Sequence, residues 1–139
     1  MPRVFLDTNI FVYAIDPRDR RKQALARSLI RNHIQGRSAA ISYQVVQELL
    51  NLATTKFAKA ITAVDAQAFL DLCLWPICEV FPDLALYLDA LTVRAETGWR
   101  FYDSLVVSAA SRASCAILLS EDLQAGRVVR GVEIRNPFA

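Results

Sequence analysis

The sequence is poor in glycine and histidine, and both shortages exclude particular kinds of active site. Its four glycines stand at positions 36, 98, 126 and 131. That spacing contains neither the GxGxxG fingerprint of dinucleotide sites nor the glycine-rich P-loop of nucleoside triphosphate sites. The only histidine, His33, lies in a basic segment, so Ser-His-Asp and Cys-His catalysis lack a credible base.

Long apolar runs and a cysteine framework are also missing. The clearest apolar run, Ile10 to Ile15, is about six residues long, whereas a membrane-crossing helix needs roughly 18 to 20. The first residues lack the charged, apolar and small-residue regions of a signal peptide. The three cysteines are an odd number in apolar surroundings, which is typical of reduced and buried side chains, and Cys73 and Cys78 have no second ligand pair for zinc. We therefore expect a cytoplasmic protein without a membrane segment.

The composition is that of one globular domain. A chain of 139 residues fits a single core, so we expect one domain over residues 1–139. With 54% hydrophobic and 22% charged residues, the chain differs from disordered proteins. Its net charge is +2, from 16 basic and 14 acidic residues. If several acids gather in one site, the remaining surface is basic and suits a polyanionic partner, although a solvated helix face would give the same composition.

Short apolar runs alternate with segments of helical periodicity along the chain. The predicted strands are residues 4–6, 39–41, 77–81, 116–119 and 132–134. The predicted helices are a short one near Ile10, one capped by Ser42 and running through Ala53, and others at residues 19–35, 62–74, 84–96 and 102–115. This alternation predicts βαβ units, and therefore an α/β fold with a mostly parallel sheet of about five strands covered on both faces.

Four acidic residues stand out by their position relative to these elements. Asp7 directly follows the first predicted strand and Asp122 follows the fourth, and open α/β sheets gather their chemistry at the carboxyl ends of strands. Glu48 stands at the boundary of the apolar stripe of its helix, and Asp103 points inward in the first turn of a late helix. The four lie far apart in the sequence, but the predicted sheet would bring them to one edge.

Each acid also has an ordinary structural interpretation, which the sequence leaves open. Asp7 would cap the short helix that follows it, and Glu48 would be solvated. Asp103 would start its helix, and Asp122 would belong to a turn in which Glu121 competes for any site role. The joint pattern favours a shared site, because carboxylates aimed at one place repel each other until cations neutralise them. Oxygen-only ligands suit Mg²⁺ or Mn²⁺, which keep waters and accept a substrate phosphate.

Four segments around these acids resemble the PIN-domain family. They are VFLDTNIFVYA at the N-terminus, VVQELLN around Glu48, FYDSLVVSAA around Asp103 and ILLSEDLQAG around Asp122. More narrowly, the chain is similar to the VapC-type toxins of bacterial toxin–antitoxin pairs, and the closing GVEIRNPF is similar to the tail of many of them. The resemblance spans nearly the whole chain, although residues 55–97 add little beyond helical character.

The resemblance implies a three-layer α/β/α sandwich, a homodimer, metal-dependent cleavage of RNA and an antitoxin that occupies the groove. Carried over by position, it assigns the metal-site and catalytic acids to Asp7, Glu48, Asp103 and Asp122, and supporting polar roles to Asn9 and Ser120. Many members have Thr where this chain has Ser120, which keeps the hydroxyl. Glu121 beside Asp122 leaves open which of the two acids faces the metal.

We therefore predict an endoribonuclease in which Mg²⁺ or Mn²⁺ supports in-line hydrolysis of an RNA phosphodiester. Two alternatives remain open at this point. In one, Asp7 is the nucleophile of a phosphatase or dehalogenase, although such sites usually place a second Asp two residues on, where this chain has Asn9, and need a lysine. In the other, the acids belong to a phosphoacceptor or purely protein-binding module without catalysis.

Overall fold

The computed structural model of the protein describes residues 2–55 and 61–139. Its strands are β1 (Val4–Leu6), β2 (Ala39–Ser42), β3 (Cys78–Val80), β4 (Ile117–Leu119), β5 (Val128–Val129) and β6 (Val132–Arg135). Its helices are α1 (Thr8–Ile15), α2 (Arg20–Gln35), α3 (Tyr43–Thr55), α4 (Ala63–Phe69), α5 (Leu84–Thr97) and α6 (Phe101–Arg112). None of the described helices is both long enough and apolar enough to cross a membrane.

The six strands form one sheet in the order β3-β2-β1-β4-β6-β5. All neighbours are parallel except β5 and β6, which run antiparallel. Every residue of β1 and β4 is buried, and because successive side chains of a strand point to opposite faces, the sheet is covered on both sides. The predicted α/β/α sandwich with a mostly parallel sheet is confirmed.

β5 is the strand that the sequence pattern does not predict. Val129 pairs with Val132 across a two-residue turn formed by Arg130 and Gly131, both of which have positive φ (54° and 76°). Turns of this kind match the right-handed twist of hairpin strands, and glycine adopts positive φ without strain. The hairpin adds an antiparallel edge strand to an otherwise parallel sheet.

Most predicted helix starts coincide with capping side chains. Asp19 accepts a hydrogen bond from the backbone N–H of Lys22 (3.1 Å) at the start of α2, and Thr62 accepts one from Asp65 (3.1 Å) at the start of α4. The expectation that Ser42 caps α3 is wrong, because Ser42 is the last residue of β2 and is buried. Its hydroxyl has no hydrogen-bond partner among the described residues, since β2 leads directly into α3 with no loop in which a cap would turn.

The segment between α4 and β3 departs from the prediction in two ways. The helix expected at residues 62–74 ends as α4 at Phe69, and a π-helical turn (Leu70–Leu74) and a 3₁₀ turn (Trp75–Ile77) follow it. Pro76 lies in the second turn, and because proline lacks a backbone N–H it ends regular helical bonding there. The segment also exposes Cys73, contrary to the expectation of buried cysteines. Cys78 and Cys115 are buried, and all three thiols are free.

The core lies on the two faces of the central strands. Phe5, Leu6 and Leu118 are inaccessible to solvent and belong to one apolar cluster with Ile10 of α1 and Ile41 of β2. Protein interiors pack as densely as organic crystals, so side chains in such a cluster have little room to shift. The strands therefore hold the residues at their carboxyl ends in fixed positions.

Gly98 ends α5 in the left-handed backbone region, with φ of 76°. Alanine is strained there by about 1 kcal/mol, even though no atom lies within 4 Å of the added Cβ. We expect Gly98→Ala to lower the free energy of unfolding in urea by about that amount. Gly36→Ala is the matched control, because Gly36 ends α2 with φ of −77°, where alanine is unstrained. Equal losses in the two variants would contradict the prediction.

Candidate functional site

Two parallel neighbours in the sheet, β1 and β4, end at the same edge. Leu6 lies opposite Leu119, and the backbone N–H of Asp7 donates to the carbonyl of Leu119 (3.1 Å). Residues 7–9 and residues 120–122, which leave the two strands, therefore meet. This is the edge of the sheet at which the sequence pattern predicts the chemistry.

Asp7 is buried at this edge, with 8% of its surface exposed. One carboxylate oxygen accepts a hydrogen bond from the backbone N–H of Thr8 (2.8 Å), and Asp7 is the N-cap of α1. The other oxygen accepts a hydrogen bond from the hydroxyl of Ser120 (2.7 Å). Asp7 thus has the capping role that is its ordinary interpretation, and the bond to Ser120 also fixes the carboxylate against the loop after β4.

The side chain of Asn9 joins the two loops. Its amide nitrogen lies 3.3 Å from the hydroxyl of Ser120 and 3.2 Å from a carboxylate oxygen of Asp122, to which it donates. Its amide oxygen accepts the backbone N–H of Glu121 (3.2 Å). A single amide therefore contacts three consecutive residues and lies beside the predicted acids, while the supporting roles of Asn9 and Ser120 stay a prediction.

Glu48 reaches the same place from α3. The hydroxyl of Thr8 donates to one of its carboxylate oxygens (2.7 Å), and the side-chain amide of Gln44 donates to the other (2.9 Å). Sequence reasoning missed both donors. Gln44 lies one helical turn before Glu48, so the i, i+4 spacing was a usable signal, whereas nothing in the sequence links Glu48 to Thr8.

The four predicted acids line one open groove of about 420 Å³, which we call the acidic groove. Asp103 enters it from the first turn of α6, beside Val106. The complete lining is Asp7, Thr8, Asn9, Val12, Tyr13, Asp16, Arg18, Glu48, Leu52, Asp103, Val106, Glu121 and Asp122. Residues that are widely separated in the sequence are thus brought to one concave surface.

Two of the predicted site acids, Asp7 and Asp103, have a raised pKa. Burial raises the pKa of Asp7 to about 6, the charges of Glu48 and Asp122 add to this, and the hydrogen bonds from Ser120 and Thr8 oppose it. Burial also raises the pKa of Asp103, against the lowering effect of Arg100. In the described part of the chain, no basic side chain forms an ion pair with any of the four predicted acids.

Glu121 differs from its neighbour Asp122 because its charge is compensated. Lys22 of α2 donates to one carboxylate oxygen of Glu121 (2.6 Å), and the hydroxyl of Tyr13 donates to the other. Burial alone would raise the pKa of Glu121, but the hydrogen bonds from Lys22 and Tyr13 outweigh it and hold that pKa below its usual value. Of the two adjacent acids, Asp122 is therefore the one without a cationic partner among the described residues.

The donor set of the groove fits a hard divalent cation. The ligands it offers are carboxylate, hydroxyl and amide oxygens, which are the ligands that Mg²⁺ and Mn²⁺ prefer. Within residues 2–55 and 61–139, no group of three or more Asp, Glu, His or Cys side chains stands ready to hold a metal by itself. Magnesium does not require such a cage, because one or two carboxylates, waters and substrate phosphates commonly complete its coordination.

His33 lies away from this chemistry. Its Nδ1 is 2.8 Å from the hydroxyl of Ser38, and the residue is not part of the groove lining. Partial burial lowers the pKa of His33. The lining of the acidic groove therefore contains no imidazole.

Comparison with known proteins identifies one family. The PIN domain model matches residues 4–131, which is most of the chain. No curated protein matches the sequence.

Several solved structures share the fold. FitAcB from Neisseria gonorrhoeae superposes with a TM-score of 0.65 at 18% identity, over 97% of this chain and 98% of that one. A toxin–antitoxin complex from Klebsiella pneumoniae superposes with a TM-score of 0.67 at 14% sequence identity, and the match covers 96% of this chain and 97% of that one. VapBC2 from Rickettsia felis, bound to a DNA fragment from its promoter, superposes with a TM-score of 0.61 at 21% sequence identity. That match covers 96% of this chain and 97% of the other. At these identities the similarity establishes the fold alone.

The raised pKa of Asp7 predicts that this residue destabilises the metal-free protein at neutral pH. The folded chain binds a proton more readily than the unfolded chain between the ordinary pKa of 3.8 and about 6, so stability falls as the pH rises through that window. In EDTA at pH 7.5, we expect Asp7→Asn to raise the free energy of unfolding by on the order of 2 kcal/mol, and the gain to vanish below about pH 4.

Urea denaturation at a series of pH values measures this difference. Asp71→Asn is the control, because Asp71 is an exposed acid outside the groove and its removal should leave the pH profile unchanged. A constant difference between Asp7→Asn and the wild type from pH 4 to pH 8 would show that Asp7 is not desolvated as described.

Proposed function

The chain belongs to the PIN domain family, and from this membership and the acidic groove we propose that it is a metal-dependent endoribonuclease, the toxin of a toxin–antitoxin pair. One observation carries the proposal. Four carboxylates from four separate elements line a single open groove, and none has a cationic partner among the described residues. Such an arrangement costs stability unless cations neutralise it, which favours a site for a bound metal.

In this proposal, Asp7 and Asp103 are the principal metal ligands. Asp122 completes a second position or acts through water, and Glu48 ligates or accepts a proton from the attacking water. A bound Mg²⁺ or Mn²⁺ would activate that water and offset the charge growing on the phosphate. The hydrogen bonds to Asp7 and Glu48 hold the two carboxylates in place beside the groove, so little reorganisation would be needed when the substrate binds.

The RNA backbone would follow the basic side of the molecule. Arg18 lines the acidic groove with a side chain that is 85% exposed, although it is paired with Asp16. Arg20, Arg27 and Arg31 line a separate depression along α2. The basic residues near the C-terminus suit this role less well, because Arg130 and Arg135 are occupied by internal ion pairs. Binding that depends on phosphate contacts weakens as salt rises.

An antitoxin partner is part of the same proposal. The structural neighbour from Klebsiella pneumoniae is a toxin–antitoxin complex by name. In this chain, a second groove of about 240 Å³ lies on the other side of α1 and is lined by Phe11, Ile15, Ile30, Ile34 and Phe69. A partner with an apolar helix face would fill this groove, and a basic residue beside that face would neutralise the acidic groove across α1.

We also propose a homodimer formed through α5. Leu84, Tyr87, Leu88 and Leu91 are exposed and recur at helical spacing, so they form one apolar stripe. A stripe of this kind on an outer helix marks an interaction surface, and a second copy of the same stripe would complement it.

Nothing in the groove favours the alternative of an Asp-nucleophile phosphatase. The residue two positions after Asp7 is Asn9, whose amide is engaged with the loop after β4. Lys22 is the nearest lysine among the described residues, and it is bound to Glu121 rather than directed at Asp7. Lys56 and Lys59 lie outside the described residues.

The nuclease proposal predicts that Asp7→Asn and Asp103→Asn each lower the rate of RNA cleavage by about 100-fold or more, because each removes a metal ligand worth several kcal/mol. Cleavage of a labelled RNA by the purified protein is measured in Mg²⁺, in Mn²⁺ and in EDTA. Circular dichroism checks that both variants remain folded. Asp71→Asn is the matched control and should retain the wild-type rate, because Asp71 lies outside the groove. Equal cleavage in EDTA and in Mg²⁺, or full activity in both variants, would refute the proposal and leave a protein-binding module as the remaining interpretation.

The dimer proposal predicts that Leu88→Glu shifts the protein from dimer to monomer, because it places a charge in the apolar stripe of α5. Size-exclusion chromatography with light scattering gives the mass. Val64→Glu is the control, because Val64 is also exposed but lies on α4. A wild type that is monomeric at micromolar concentration would contradict the dimer proposal and would leave the nuclease proposal unaffected.

A further inference from the structure

Glu121 and Asp122 are adjacent acids on one loop, and both line the acidic groove. Their surroundings differ. Among the described residues, the carboxylate of Asp122 accepts a hydrogen bond only from Asn9, whereas Glu121 is bound through both oxygens. The two donors to Glu121 also contact each other, since the ammonium nitrogen of Lys22 lies 3.2 Å from the hydroxyl of Tyr13. Lysine, tyrosine and glutamate therefore form a closed triangle of contacts.

Lys22 is itself held in place by aromatic rings. Its ammonium group lies 4.6 Å from the centre of the Tyr13 ring and 5.7 Å from that of Phe138. The two rings pack edge to face with centroids 4.8 Å apart, and Phe138 is buried. Such contacts favour the cation and restrict the motion of its flexible stem. Three segments, α1, α2 and the C-terminal residues, thus converge to fix one ammonium group against the loop after β4.

An unpaired Glu121 would change the groove. Its backbone N–H is fixed by Asn9 (3.2 Å), so the backbone would stay in place while the side chain became free to turn. A free carboxylate beside Asp122 would be drawn to any cation in the groove, because opposite charges attract. It would then compete with Asp122 for the same position. Removing the ammonium group would also take one positive charge away from the neighbourhood of the groove.

We propose that Lys22 is a positioning residue, which holds the carboxylate of Glu121 away from the cation site and leaves Asp122 as the acid that this loop presents. The inference rests on the proposed function, because it concerns the same groove. It assigns to Lys22 a role that acts through Glu121 and requires no contact with RNA. Lys22 therefore differs from the exposed arginines of α2, which would act on the phosphates themselves.

Lys22→Met tests the role, because methionine keeps an apolar stem against the two rings and removes only the ammonium group. Binding of Mn²⁺ is measured by electron paramagnetic resonance of the free ion, and RNA cleavage is measured in parallel. We expect Mn²⁺ to bind about threefold tighter or more, because a positive charge beside the groove has been removed. We expect kcat to fall about 10- to 100-fold, as is typical when a group that orients metal ligands is lost. A variant that is only destabilised would lose Mn²⁺ affinity and activity together.

The double variant Lys22→Met/Glu121→Gln separates this role from direct RNA binding. Without a charged Glu121 there is no competing carboxylate, so Mn²⁺ affinity and kcat should both return to within about threefold of the wild type. Tyr13→Phe removes the second donor to Glu121 and should shift both quantities in the same directions by less. If Lys22→Met does not fold, Tyr13→Phe serves as the test in its place.

Arg20→Met is the matched control for charge. It removes one positive charge from the same helix at an exposed position that has no ion pair in the described part of the chain. It should leave Mn²⁺ affinity at the wild-type value, and an equal shift in Arg20→Met and Lys22→Met would overturn the positioning role. A double variant that stays impaired would also overturn the positioning role, and so would weaker Mn²⁺ binding in Lys22→Met. A wild type that neither binds Mn²⁺ nor cleaves RNA would instead overturn the proposed function, and the inference with it.

Discussion

The pairing of β1 with β4 is the constraint on which the whole site depends. Leu6 lies opposite Leu119, and this register places Asp7 beside Ser120. A slip of one residue would turn every side chain of a strand to the opposite face, and both strands are buried on both faces. The same burial that stabilises the core therefore also sets the positions of the carboxylates. With three residues in each strand, the precision comes from packing rather than from strand length.

The acids gathered in the acidic groove lower the stability of the folded protein. Desolvation and neighbouring charges raise the pKa of Asp7 to about 6, so the ionised form at neutral pH is costly to the folded state. Three hydrogen bonds to Asp7 and two to Glu48 offset part of this cost and hold the two carboxylates in place. A divalent cation would recover more, because it binds only where the acids are gathered. A functional site, unlike a structural one, retains such repulsion between its acids even though it lowers the stability of the fold.

The sequence predicts well those features of the fold that local patterns of residues encode. Apolar runs and capping residues such as Thr62 predict the strands and most helix starts, and strand ends point to Asp7 before any contact is known. What it misses depends on distant neighbours. The ion pair of Lys22 with Glu121 joins residues 99 positions apart, and a pattern read along one helix shows Lys22 only as part of a basic face. The sequence therefore leaves both Glu121 and Asp122 as candidates, because the ion pair that distinguishes them comes from a side chain on another element.

The groove is lined by two classes of acid, which differ in whether a cation neutralises them. Two of the acids are neutralised by neighbours, Asp16 by Arg18 and Glu121 by Lys22. The other acids of the lining lack ion pairs in the described part of the chain, and they are Asp7, Glu48, Asp103 and Asp122. A groove in which every acid was unpaired would repel a phosphate more strongly, whereas the two paired acids lower its negative charge and the unpaired ones still attract a cation. Pairing of some acids is thus as necessary to the proposed chemistry as the absence of pairing at the others.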